Sequence, residues 1–184
     1  IFRPMIQKIL EYTAALFHLA TVDTLTGIAN RRSFMDQAET ELIRTRRYKR
    51  PACMLMLDID HFKKVNDTYG HATGDDVLVA TGETLRQMLR QIDICGRLGG
   101  EEFAILLVET DVAGAHIVAE RIRQRFEDMA VTSGKHSISI TVSIGCAAID
   151  PENPDLETAL GDADRLLYQA KKNGRNQVMT NEYS

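Results

Sequence analysis

Residues 97–103 read Arg-Leu-Gly-Gly-Glu-Glu-Phe, with apolar, strand-like runs on either side at 92–98 and 103–108. Gly-Gly between such runs favours a tight hairpin, because both central residues can take positive φ without a Cβ clash. The chain is thereby committed to an antiparallel strand pair. The turn would present Glu101 and Glu102 at a sheet edge, where they can meet a cation. Acidic residues beside glycine are ordinary in solvated turns, so this motif needs a partner elsewhere in the chain.

Residues 57–67, Leu-Asp-Ile-Asp-His-Phe-Lys-Lys-Val-Asn-Asp, supply one. The run 52–57 is continuously apolar after Pro51, as expected for a strand buried on both faces. It ends in Asp58 and Asp60, which share one side of an extended backbone. Carboxylates at the end of a buried strand are costly unless solvated, paired or metal-bound. Hard oxygen donors of this kind suit magnesium, which takes one or two carboxylates plus substrate phosphates. Alternatively, Asp58 or Asp60 caps the following helix. Capping does not account for Lys63 and Lys64 within the next turn, where they could neutralise a triphosphate held by helix-start amides.

The rest of the chain alternates helical and strand patterns. Helices are expected over 31–49, over 74–90 with Val77, Leu78, Thr81, Leu85, Met88 and Leu89 on one face, and after Asp111 as a cap. Residues 137–144 alternate Ile or Val with Ser or Thr and predict one strand. Asn153-Pro154-Asp155 opens a last helix, with Gly174 suited to its C-terminal end. Such interleaving implies an α/β fold with a mixed sheet. A chain of 184 residues that is 44% hydrophobic suits one domain plus an appendage. With 22 basic against 26 acidic residues and a net charge of −4, no broad nucleic-acid surface is expected. Cys53, Cys95 and Cys146 sit in apolar runs, as reduced thiols of a cytoplasmic protein would. No apolar stretch reaches the roughly 18–20 residues of a membrane span.

The first twenty residues form a separate pattern. Phe2, Ile6, Ile9, Thr13, Leu16 and Ala20 follow spacings of four and three, as in a coiled-coil seam or a plain amphipathic helix. The chain opens on Ile1, so a longer protein is expected. In it, residues 1–20 would be a signalling helix from an upstream sensory domain, and 21–180 the catalytic domain. Membrane anchoring of that longer protein is left open.

Three separated stretches now combine: Asp23-Thr24-Leu25-Thr26-Gly27-Ile28-Ala29-Asn30-Arg31-Arg32, then 58–75, then Gly99–Phe103. In this order they resemble the GGDEF family of diguanylate cyclases, over about 20–178, with Glu101 replacing the family's Asp and Ile28 its more usual Leu. The resemblance implies a five-stranded central sheet flanked by helices, of the nucleotidyl-cyclase and polymerase-palm type. It implies GTP as substrate, cyclic di-GMP as product, and two Mg²⁺ ions (or Mn²⁺) per site, stabilising an in-line displacement at phosphorus. Asp58, the Ile59 carbonyl, Glu101 and Glu102 would hold the metals. Glu101 would assist deprotonation of the attacking hydroxyl, and Lys63 would stabilise the charge developing at phosphorus. The terminal phosphates would meet backbone amides near Phe62 and Lys63, with Lys171 and Arg175 reaching in from one face of the last helix. Asp23 and Arg97 would join the N-terminal turn to the hairpin.

Guanine offers an N1–H and N2–H₂ donor edge to Asp75 and acceptors to the Asn66 amide. Asp75 also lies where it could cap the following helix. Leu25 would line the base pocket, and His71 would lie near the nucleotide. Arg90-Gln91-Ile92-Asp93 matches the family's RxxD inhibitory site for dimeric cyclic di-GMP, an arginine fork suiting a guanine edge or phosphate. One domain holds one GTP and the product needs two, so a homodimer, even a transient one, must bring two sites face to face. The rival from another class is a catalytically silent receptor for GTP or cyclic di-GMP. An adenylyl-type transferase is a second rival, which Asn66 and Asp75 disfavour.

Overall fold

The structure, a computed structural model, describes residues 5–8, 12 and 20–181. Helix α1 (Arg31–Tyr48) begins at Asn30, whose side chain accepts a hydrogen bond from the Ser33 amide. Strand β1 (Ala29–Asn30) precedes it, and β2 (Ala52–Ile59) follows. Next come α2 (Phe62–Tyr69), α3 (His71–Met88), β3 (Ile94–Gly99) and β4 (Glu102–Val108). Helix α4 (Val112–Asp128), β5 (Ala130–Ser133), β6 (His136–Ser139), β7 (Val142–Ile149), α5 (Leu156–Lys172) and β8 (Val178–Asn181) complete the order. Asp111 caps α4 as expected, accepting from the Gly114 amide, and Asp155, in the triplet expected to open the last helix, caps α5 by accepting from the Thr158 amide.

The sheet runs β1-β3-β4-β2-β7-β8. All eight residues of β2 are buried, because β4 and β7 flank it antiparallel and both its faces are covered. On one face Cys53, Leu55 and Leu57 pack with Val77 and Leu85 of α3 and Ile122 and Phe126 of α4. On the other, Met54 and Met56 pack with Phe34 and Leu42 of α1 and Ala163 and Leu167 of α5. The period of two along β2 thus sorts its side chains into two cores of a helix–sheet–helix sandwich.

The mixed α/β architecture stands, with three corrections of detail. The central sheet has six strands, not five, since the short outer strands β1 and β8 add in parallel to β3 and β7. Residues 137–144 are not one strand: β6 ends at Ser139 and β7 begins at Val142. The chain changes sheets between them, because β6 pairs with β5 in a separate ribbon while β7 pairs with β2. Helix α3 starts at His71 rather than 74, directly after Gly70 turns the chain with φ +90°.

Of the N-terminal seam, Phe2, Ile9, Thr13 and Leu16 lie outside the described residues; Ile6 is helical and exposed. No helix among the described residues is long and apolar enough to cross a membrane.

Candidate active site

Asp58 stands one residue before the end of β2, level with Glu102 on β4 and Ser143 on β7. Two acidic segments more than forty residues apart in sequence therefore meet because β2 lies beside β4 in this register. The Asp58 side chain is 7% exposed and pairs with Lys171 Nζ at 2.8 Å. Burial pushes its carboxyl up to about 6, Lys171 opposes the rise, and the negative charges of Glu101 and Glu102 add to it. Three carboxylates, Asp58, Glu101 and Glu102, thus share the field of one lysine, Lys171.

The hairpin closes with Gly100 and Glu101 as its two loop residues, Gly99 pairing with Glu102. Gly100 alone takes positive φ, at +48°, so the turn needs one left-handed residue and not two. Arg97 braces it. Its Nε donates to the Gly100 carbonyl at 2.8 Å, and its Nη1 donates to Asp23 Oδ1 and Oδ2 at 3.2 and 3.3 Å. The Asp23 carboxylate also accepts from the Thr26 amide and hydroxyl. Burial alone would raise its pKa, but those bonds and Arg97 outweigh burial and lower it. Glu101 is thereby carried on a turn tied to the N-terminal segment.

Asp60 does not cap α2. The cap position is His61, in the left-handed region at φ +57° and without a side-chain bond. Asp60, 4% exposed, instead accepts from the Thr141 and Ser143 hydroxyls, both at 2.7 Å, and from the Asn176 amide at 3.0 Å. It fastens the end of β2 to the β6–β7 junction and to the loop after α5. Thr141, Ser143 and Asn176 escape sequence reasoning, because in an alternating run the hydroxyls read as the solvent face.

Phe62, buried, and Lys63, exposed, begin α2 four and five residues past Asp58. The first amides of a helix lack intrahelical acceptors, so this end can receive an anion. Asn66 lies one turn on, half-buried, and its amide makes no hydrogen bond among the described residues. His71 opens α3 and is exposed, and Asp75, also exposed, sits inside that helix and caps nothing. Leu25 is partly buried against the core. Helix α5 ends at Lys172, so Lys171 and Arg175 do not share a helix face. Gly174 at φ +115° ends the helix, and Arg175, at φ +67°, donates its amide to the Ala170 carbonyl.

Hard carboxylate oxygens that outnumber the one lysine beside them fit a magnesium-sized cation in chemistry. Among the described residues, no three carboxylate, imidazole or thiol groups converge to hold a metal by themselves. A cation here would therefore complete its shell from phosphate oxygens, as magnesium commonly does.

Arg90 and Asp93 bind each other. Arg90 donates through N and Nε to Asp93 Oδ2, and through Nη2 to Asp93 Oδ1, the Val108 carbonyl and the Thr110 hydroxyl. The Val108 amide also donates to Asp93, which is 2% exposed. The pair is a clasp between the α3–β3 turn and the end of β4. Grooves of about 1160 and 620 Å³ adjoin it; Asp93 lines both.

The diguanylate cyclase GGDEF domain family matches residues 20–177. The response regulator PleD of Caulobacter vibrioides is 40% identical over 163 residues, 88% of this chain and 36% of PleD. A diguanylate cyclase of Vibrio cholerae is 35% identical over 171 residues, 93% of this chain and 53% of that protein. This chain spans about half the length, or less, of these relatives. Among solved structures, the coiled coil and GGDEF domain of DgcB from Caulobacter crescentus, in complex with c-di-GMP, superposes with a TM-score of 0.90. That match has 28% identity and covers 97% of this chain and 95% of the other. The active GGEEF domain of a Vibrio cholerae diguanylate cyclase matches with a TM-score of 0.75 and 34% identity, over 84% of this chain and 98% of the other.

Proposed function

Because this chain belongs to the GGDEF family of diguanylate cyclase domains, we propose that it condenses two GTP molecules into cyclic di-GMP. The observation that carries this reading is the meeting of Asp58, Glu101, Glu102 and Lys171 at one end of the central strands β2 and β4. The 3′-hydroxyl oxygen of one GTP bonds to the α-phosphorus of the other. The bond to pyrophosphate breaks, and the hydroxyl proton passes to Glu101. The same exchange in the opposite direction closes the ring and releases a second pyrophosphate.

Asp58, the Ile59 carbonyl, Glu101 and Glu102 would hold Mg²⁺ or Mn²⁺, which when bound offsets charge on the phosphates. Lys63 stabilises charge growing at phosphorus, and the amides of Phe62 and Lys63 receive the terminal phosphates. Lys171 is placed to exchange Asp58 for a phosphate, with Arg175 beside it in the following loop. Asn66 and Asp75 read the guanine edge, with Leu25 against the base and His71 nearby. Two domains must face each other, one GTP in each, and residues 1–20 would govern how often they do.

The test is to incubate the protein with GTP and Mg²⁺ and resolve products by chromatography and mass. Cyclic di-GMP with pyrophosphate is expected. GTP binding without product, even after forced dimerisation, would instead favour a silent receptor.

Product inhibition would act at Arg90 and Asp93. The clasp must open for Arg90 to turn its fork to a ligand, so cyclic di-GMP would compete with Asp93 and Thr110 for the guanidinium. Arg90→Ala is expected to raise the half-inhibitory product concentration about tenfold or more, the worth of one guanine-directed arginine fork. Inhibition curves that overlay those of the parent protein would remove the pair from regulation.

A further inference from the structure

Helices α2 and α3 fold back on each other across Gly70, and at one point their approach leaves no room for a side chain. A Cβ built on Gly74 would lie 1.9 Å from Asn66 Oδ1, 3.0 Å from Asn66 Cγ and 3.3 Å from the Phe62 ring. Gly74 is buried and helical, so its lack of a side chain is not required by the backbone dihedrals. Glycine is a poor residue for a helix interior, and alanine a strong one. What glycine supplies here is space, and that space is occupied by the Asn66 amide. No hydrogen bond within the described residues holds that amide, so packing against Gly74 is what sets its direction. The amide thus keeps its hydrogen-bonding capacity for a ligand while its rotamer is restricted.

We infer that Gly74 is a positioning residue for guanine recognition: its missing Cβ forms the slot that aims the Asn66 amide at the base. The inference rests on the guanine-nucleotide reading of the site. It predicts that a single methyl group added at residue 74, against the Asn66 amide, weakens GTP binding without weakening the fold. The displaced atom belongs to the end of a flexible side chain, which can swing away from a new Cβ where a backbone could not.

The experiment measures GTP binding by titration calorimetry with Mg²⁺ in the parent protein, Gly74→Ala, Asn66→Ala and the double variant, and follows each by urea unfolding. Gly74→Ala is expected to lose about tenfold in GTP affinity, the scale of one well-placed hydrogen bond. Its unfolding midpoint should hold or rise. Asn66→Ala should lose a similar factor, and the double variant no more than Asn66→Ala alone, because both act through one amide. Unchanged affinity in Gly74→Ala, or losses that multiply in the double variant, would overturn the inference. So would a lowered unfolding midpoint in Gly74→Ala that persists once the Asn66 amide is gone. A parent protein that binds no GTP would fail differently, by removing the guanine site itself.

Discussion

Glu101→Ala is expected to reduce cyclic di-GMP formation by about 10²–10⁴-fold, the usual worth of a positioned acid–base group, while GTP affinity changes only a few-fold. The structure separates these quantities. Glu101 is a loop residue of the hairpin and is half-exposed. Its removal therefore leaves the unfolding midpoint within about 0.5 kcal/mol of the parent. The brace under the turn is built from Arg97, the Gly100 carbonyl and Asp23, none of which needs the Glu101 side chain. Turnover measured by pyrophosphate release, beside a GTP titration and a urea curve, tests all three statements. Equal product from Glu101→Ala would remove it from the chemistry and leave the acidic cluster a local feature at the end of the central strands.

Gly145→Ala is expected to destabilise the domain by about 3 kcal/mol, the upper part of the overpacking range. Helix α5 crosses β7 so closely that a Cβ on Gly145 would lie 2.1 Å from the Ala163 carbonyl oxygen and 2.3 Å from the Leu167 amide nitrogen. Both are backbone atoms of a helix whose hydrogen bonds hold them in place. Relief must come from lifting α5, which also carries Lys171 away from Asp58. Thermal midpoint should fall by roughly 6–12 °C for a domain of this size, and turnover should fall with it. Gly161→Ala, on the exposed side of the same helix with nothing within 4 Å of its Cβ, is the control. It should be neutral or stabilising by up to about 1 kcal/mol. If both variants melt together, helix–sheet contact is not what Gly145 protects.

What lies opposite Gly74 and Gly145 is not carried by the sequence around either of them. Gly74, in a polar stretch of α3, faces a side-chain amide and Gly145, in an apolar stretch of β7, a helix backbone. Asp60 shows the same limit. Its place after a buried strand made a helix cap reasonable, but its partners come from residues 141, 143 and 176. Arg175 was placed on a helix that stops three residues earlier, because helix ends depend on local capping that periodicity does not see.

By itself the sequence determined which segments become strands and helices through the core, since burial periodicity is a local property written along each element. It determined that a hairpin lies at residues 99–102, the Asp111 cap, the opening of the last helix near Asp155, and the acidic character of two remote segments. Only the tertiary structure decided that Asp58 stands level with Glu102, that Lys171 reaches Asp58, and that Arg90 reaches Val108 and Thr110 at the end of β4. Strand order and register settle those neighbours, and they come from packing two faces of one sheet at once. No window along the chain contains both sides of such a contact.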